Sequence, residues 1–151
     1  MNDLVIRQAT VRDVDAIARN NIALARESED KQLDPATVQC GARALLDDSS
    51  KGFYLVAERA GAVVGQLMIT VEWSDWRNAT FWWIQSVYVV PKARRQGVFR
   101  ALYDHAVALA QSGKSVCGIR LYVESNNAAA RRAYETLGMH RAAYDIYEAG
   151  F

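Results

Sequence analysis

In the middle of this chain an extended apolar run stops at a proline and resumes as a basic, glycine-containing helix start: V-Y-V-V-P-K-A-R-R-Q-G-V-F-R, from Val87 to Arg100. This order builds an anion site. The N–H groups of a helix's first turn lack intrahelical partners and lie at the positive end of its dipole, so a phosphate placed there is stabilised twice. Gly97 allows close backbone approach, and Arg94, Arg95 and Arg100 add guanidinium groups that grip phosphate oxygens in pairs. An ordinary turn with a solvated basic face has the same composition. The spacing excludes two other phosphate loops, because neither G-x-x-x-x-G-K-[ST] nor G-x-G-x-x-G is present.

A second segment follows about thirty residues later, L-Y-V-E-S-N-N-A-A-A-R-R-A-Y-E-T-L-G-M, from Leu121 to Met139. The first segment resembles the acyl-CoA-binding motif of the GNAT superfamily of N-acyltransferases, V-x-P-x-x-[RQ]-x-x-G-x-[GA] followed by an apolar helix. The second resembles that superfamily's N-x-x-A-x-x-x-Y-E-x-L-G-[FM] helix through Asn127, Ala130, Tyr134, Glu135, Leu137, Gly138 and Met139. The opening V-I-R-Q-A-T-V-R-D-V-D-A-I, Val5 to Ile17, is similar to the family's first strand and helix, so the resemblance covers nearly the whole chain. It implies a single-domain α/β (α+β) GNAT-like fold over residues 1–151, with a mixed, mostly antiparallel sheet of six to seven strands flanked by about four helices.

With 151 residues, 51% hydrophobic and 23% charged, the chain has the profile of one globular domain with a sizeable core. A formal net charge of +1 gives no reason to expect nucleic acid or membrane as a partner. No Lys- or Arg-led apolar segment follows Met1 and no apolar run approaches membrane-spanning length, so a cytoplasmic protein is expected. Cys40 and Cys117 are too few for a disulfide framework, and with His105 and His140 they form no metal-ligand pattern, so no metal is expected.

Strand and helix patterns alternate along the chain. A first strand is expected at Leu4 to Arg7, then a helix from Asp13 to about Arg26 with Val14, Ile17, Ala18, Asn21 and Ile22 on one side. Pro35 suits the first turn of a second helix capped by Asp34, with Val38, Ala42, Leu45 and Leu46 as its apolar face. Phe53 to Glu58 and Val63 to Val71 read as a hairpin turning at Arg59-Ala60-Gly61, and Phe81 to Val90 as the next strand. A third helix carries Val98, Leu102, Ala106 and Leu109 and stops at Gly113. Cys117 to Val123 reads as a buried strand. A helix capped by Asn126 or Asn127 follows, ending at Gly138, and a final strand is expected at Arg141 to Glu148.

The resemblance implies attack of a neutral amine on the thioester of an acyl-CoA, with acetyl-CoA as acyl donor, through a tetrahedral intermediate. Carried over by position, the N–H of Val87 bonds the acetyl carbonyl and Val89 pairs with the pantetheine amides, with Tyr88 between them. Arg94, Arg95, Gln96, Gly97, Val98, Phe99 and Arg100 form the diphosphate loop. Tyr134 matches the family's general acid, and Asn127 its asparagine near the pantetheine or simply a helix cap. Phe99 stands where the family has Gly or Ala, and its ring is expected to turn into the core with Tyr103 and Ala106.

Many members place a glutamate on the strand that here reads F-W-W-I-Q-S-V; this chain has Gln85, which takes no proton at neutral pH. Glu72, or Glu27 or Glu29 through water, are the candidate bases. Glu27, Glu29, Trp73, Trp76 and Gln85 are candidate acceptor contacts, because acids beside tryptophans suit a cationic amine. The same tryptophans, with Trp82 and Trp83, suit a homodimer interface equally well.

Three readings therefore stand: an acetyl-CoA-dependent N-acetyltransferase for a small cationic amine or, with the same chemistry, for a protein; an acyl-CoA sensor without turnover; and an interaction protein with an aromatic surface.

Overall fold

The computed structural model describes residues 3–151. Within them the element order is β1 (Val5–Gln8), α1 (Val14–Glu29), α2 (Pro35–Asp47), β2 (Phe53–Arg59), β3 (Ala62–Ser74), β4 (Ala79–Val89), α3 (Val98–Ser112), β5 (Val116–Leu121) and α4 (Ala128–Thr136), with short 3-10 turns at Val11–Asp13 and Pro91–Ala93. The sheet order is β1-β2-β3-β4-β5, antiparallel throughout except for the parallel β4–β5 pair.

The chain divides into two compact units, Met1–Leu121 and Tyr122–Phe151. In the first, strand alternation splits the core between the two sheet faces. Leu55, Ala57, Leu67, Ile69 and Ile84 pack with Val98, Leu102 and Ala106 of α3. Tyr54 and Val56 point the other way, into Ile17 of α1 and Ala42 and Leu45 of α2. A Cβ added at Gly65 would lie 2.7 Å from Val98 Cγ1, so the glycine is what lets α3 sit down on β3. The α3 stripe closes on Ala110 rather than Leu109, which is 39% exposed; side chains every four residues drift by about 40° per step, and the sheet's twist follows that drift.

Helix ends follow their caps. Asp34 accepts from the Thr37 N–H at 3.0 Å and Pro35 opens α2. Helix α1 runs past its expected end at Arg26 and closes on Asp30, which takes a left-handed φ of 51°.

In the second unit Asn127 caps α4 by accepting from the Ala130 N–H at 3.0 Å, and Gly138 follows the helix at φ 88°. The expected strand from Arg141 to Glu148 does not form, so the described sheet has five strands rather than six to seven. Ala142, Ala143 and Asp145 are weak strand formers, and alternation alone supplies no ladder partner. Tyr144, Ile146 and Tyr147 are exposed.

Candidate active site

Strand β4 is regular only as far as Gln85. Gln66 pairs with Tyr88, and Met68 with Gln85, so Leu67 of β3 faces two β4 residues, Ser86 and Val87. This is a β-bulge, a device that re-aims the strand at its extra residue. Ser86 takes φ 52°, a left-handed conformation uncommon for a side-chain-bearing residue and costing on the order of 1–3 kcal/mol.

A buried amide cluster holds the bulge. Gln66, fully buried, donates from Nε2 to the Ser86 carbonyl at 3.2 Å and to Asn21 Oδ1 at 2.8 Å, and accepts from Asn20 Nδ2 at 3.0 Å. Asn21 Nδ2 in turn donates to the Tyr54 hydroxyl at 3.1 Å. The cluster was invisible as a unit in the sequence, where Asn21 reads as a helix-face residue and Gln66 as one position in a hairpin.

The parallel pairing of β4 with β5 ends at Ile84 and Leu121. Beyond it, residues 85–89 ladder only with β3, which leaves an extended backbone edge beside the bulge. Pro91 ends the strand; after a 3-10 turn, α3 starts at Val98. Arg95 and Gly97 both take left-handed φ, 62° and 77°, and such turns turn successive N–H groups inward as an anion-binding concavity.

A cavity of about 330 Å³ lies there, lined by Val89, Arg94, Arg95, Gly97, Phe99 and Arg100. No carboxylate borders it, and a Cβ at Gly97 would meet nothing within 4 Å. The residues fit a diphosphate. Phe99 is half-buried with its ring 6.2 Å from Tyr103, so one face packs while the residue still lines the cavity.

Arg94 is already engaged on the protein. Its Nε donates to the Val89 carbonyl at 2.9 Å, its Nη2 to Glu27 Oε2 at 2.7 Å, and its guanidinium lies 5.4 Å from the Tyr88 ring. Tyr88 is buried and donates its hydroxyl to Glu27 at 3.1 Å; burial, then the Glu27 carboxylate, pushes its phenol above the ordinary range. Gln96 is braced from the hairpin by Arg59 at 2.7 Å and reaches the Lys92 carbonyl at 2.9 Å. Arg100 pairs with Asp104 along α3.

A second cavity, about 440 Å³, opens on the opposite side of the sheet between α1, α2 and the strands, and Asn21, Leu24, Glu29, Tyr54, Met68 and Ser86 are among its walls. The sequence candidates divide around these two hollows. Glu29 reaches the second one, whereas Glu27 is turned to Arg94. Gln85 donates to Thr70 Oγ1 at 2.6 Å. Glu72 sits opposite Phe81, six residues before Val87 and so roughly 20 Å along the strand. There it accepts from Arg120 at 2.9 Å and from Trp83 Nε1 at 3.2 Å. The structure does not bring Glu72 to Val87. Trp73 and Trp76, 66% and 86% exposed, belong to the far end of the β3–β4 hairpin. In the second unit, burial raises the Tyr134 phenol and keeps it protonated at neutral pH. Among the described residues no group of three or more His, Cys, Asp or Glu could hold a metal, and no helix is long and apolar enough to cross a membrane.

A mixed sheet with a bulged, half-unpaired β4 feeding a basic helix start defines an acetyltransferase-type α/β domain. The model of the acetyltransferase (GNAT) family matches residues 19–139, and the chain belongs to that family. It is 43% identical to a possible acetyltransferase from Clostridium difficile 630, over 98% of this chain and 97% of that one, with a TM-score of 0.93. The fold is shared with a ribosomal-protein-alanine N-acetyltransferase from Brucella melitensis biovar Abortus 2308, at 20% identity over 98% and 99% of the chains and a TM-score of 0.79. It is shared as well with an aminoglycoside acetyltransferase from an uncultured soil metagenomic sample, solved in complex with sisomicin, at 16% identity over 98% and 97% and a TM-score of 0.76. No curated protein matches the chain.

Proposed function

We propose that this protein transfers an acetyl group from acetyl-CoA to the primary amine of a small acceptor that is cationic in its resting ammonium form. The observation that carries the reading is the β4 edge at residues 85–89, unpaired on the β5 side, running into the arginine-lined start of α3. An extended edge takes the amides of a pantetheine arm as it would take another strand, and the helix start takes the diphosphate.

In this reading the donor supplies an activated thioester. Val87 N–H bonds its carbonyl oxygen, Val89 and Tyr88 contribute backbone to the arm, and residues Arg94 to Arg100 hold the diphosphate. The amine attacks as the neutral species through a tetrahedral intermediate. Tyr134 protonates the departing thiolate, an assignment supported by its motif position and its raised phenol. No metal takes part, and the site of action is the cytoplasm.

The test is release of free CoA from acetyl-CoA, followed with a thiol reagent across polyamines, aromatic amines, amino acids, aminoglycosides and lysine-containing peptides. Turnover with one class establishes the enzyme and its acceptor together; preference for peptides replaces the small amine with a protein. A second reading, an acyl-CoA sensor, is favoured by Gln85, a neutral amide tied to Thr70 where many family members place a carboxylate. It gains if acetyl-CoA binds and no amine gives turnover.

A further inference from the structure

Gly41 stands midway along α2, in a helix whose neighbouring apolar positions, Val38, Ala42 and Leu45, carry side chains. Glycine is a poor helix former, because it gives up more backbone freedom on folding than any other residue. Two structural needs commonly account for a glycine, and neither applies here. Gly41 does not take a left-handed φ, and a Cβ built on it would meet nothing within 4 Å. Gly65 is the contrast, since a Cβ there would lie 2.7 Å from Val98 Cγ1. What Gly41 leaves is open volume.

That volume borders the cavity of about 440 Å³ between α1, α2 and the strands. Leu24 and Ser28 come to it from one face of α1, Val38 and Gly41 from one face of α2, and Met68 and Ser86 from the sheet. Its size falls in the range of roughly 300–1,000 Å³ usual for small-molecule sites. Ser86 immediately precedes Val87 on the bulge, so the cavity reaches to within one residue of the backbone N–H read above as the donor to the acyl carbonyl.

The walls speak to the acceptor's body. Leu24, Leu33, Val38 and Met68 are apolar, and Glu29 is the one carboxylate among the lining residues, with Lys31 Nζ already 3.7 Å from it. An acceptor with several cationic groups would set the further ones against hydrocarbon, which is unfavourable. We propose that this cavity seats the acceptor, that it takes a primary amine on an apolar aryl or alkyl body, and that Gly41 sets the size of body admitted.

The inference deepens the acetyl-transfer reading and rests on it for the position of the reacting carbonyl. Helix stability is forgone at Gly41 and room for a substrate is kept, the opposition between stability and activity common at binding sites. A side chain at this position therefore has two expected effects of opposite sign, a firmer helix and a smaller cavity.

The experiment uses the full chain and the variants Gly41→Ala and Gly41→Leu. Urea unfolding reads stability, and calorimetry reads acetyl-CoA affinity. Ligand-observed NMR, with CoA present in place of the acyl donor, reads 2-phenylethylamine binding. Turnover is compared for 2-phenylethylamine, ethylamine and spermidine.

Both variants are expected to unfold at higher urea than the parent, because a better helix former replaces glycine. Acetyl-CoA affinity stays within about twofold. In Gly41→Leu, 2-phenylethylamine binds more weakly and its kcat/KM falls roughly tenfold or more while that for ethylamine changes less than about twofold, the discrimination a pocket shows over a few carbons. Gly41→Ala falls between, and the parent prefers 2-phenylethylamine to spermidine. The gain in stability separates a filled cavity from misfolding.

Unchanged 2-phenylethylamine binding and turnover in Gly41→Leu, equal losses for the large and the small amine, or a preference for spermidine overturns the inference while leaving acetyl transfer intact. Lower stability of Gly41→Ala would make the glycine structural and overturn it as well. Should the parent bind no acetyl-CoA, or bind it without turnover, the acetyl-transfer reading falls. Amine binding that weakens in Gly41→Leu in the NMR arm would still uphold the cavity and its size limit, and amine binding that is absent or independent of Gly41 would overturn them.

Discussion

Glu27 Oε2 receives a hydrogen bond from Arg94 Nη2 at 2.7 Å, joining the end of α1 to the loop before α3 across 67 residues of chain. The same carboxylate accepts from Tyr88, and the same guanidinium covers the Val89 carbonyl at the end of the open β4 edge. Glu27 is thereby a fastener between the helix layer and the loop before α3, not a free acid.

The partners are 44% and 43% exposed, so the pair is worth only about 0.2–1 kcal/mol. If Arg94 turns to the diphosphate, it must leave Glu27. Glu27→Ala is therefore expected to change unfolding free energy by less than about 1 kcal/mol and to tighten acetyl-CoA binding by about two- to fivefold, the same energy read as affinity. Titration of parent and variant by calorimetry decides it, and weaker binding in the variant would count against Arg94 as a diphosphate ligand.

Gly97 offers a sharper test of the proposal that this loop holds the diphosphate. Its φ of 77° makes any side chain strained by about 1–2 kcal/mol, but the space around a Cβ is open. Gly97→Ala should fold, lose about that much stability and keep most of its CoA affinity. Gly97→Asp places a carboxylate at the same helix start and should fold equally well while losing on the order of a hundredfold in affinity. Equal affinity for the two variants would remove the loop from the binding site.

Gln66 is fully buried with three partners, and Gln66→Leu strips Asn20, Asn21 and the Ser86 carbonyl together. A loss of about 2–4 kcal/mol in urea unfolding is expected, since each stranded buried group costs about 1–3 kcal/mol and some of them find water. Turnover should fall further than stability explains, because the bulge at Ser86 and Val87 loses its brace. A variant as active as the parent at equal folded fraction would separate the network from the site.

How far the sequence leads depends on the kind of signal. Pro35 with Asp34, Gly97 before Val98, and Asn127 with Gly138 are local devices, and their elements appear where those residues point. The basic turn before α3 was legible because Pro91, the arginines and Gly97 are contiguous in the chain. The buried amide cluster was not: Asn20, Asn21, Tyr54, Gln66 and Ser86 come from four elements, α1, β2, β3 and β4, and only strand register and the packing of α1 bring them together. Glu72 illustrates the same point from the other side. It precedes Trp73 in the sequence, but antiparallel pairing carries it to Phe81 and Arg120 and away from Val87. The strand expected at Arg141 to Glu148 rested on alternation alone, which does not provide a ladder partner.

Asp13 ties acid stability to a single buried carboxylate. It accepts from Arg7 Nη1 at 2.8 Å and Nη2 at 2.9 Å and from the Thr10 N–H at 2.8 Å, and it is 6% exposed. The Arg7 hydrogen bond, opposed by burial, holds its carboxyl below the usual value. With the folded pKa depressed, the unfolded chain binds the more protons through this range, so stability rises with pH. The contribution is complete above the ordinary carboxylate value of about 4 and is lost as pH falls below it through the folded value. Asp13→Asn should accordingly cost about 1–3 kcal/mol at pH 7, where it leaves the Arg7 guanidinium short of one of its two carboxylates. The gap between parent and variant should then narrow steadily from pH 4 toward pH 2 in urea titrations. A gap that stays constant across that range would mean that Asp13 is held by shape rather than by charge.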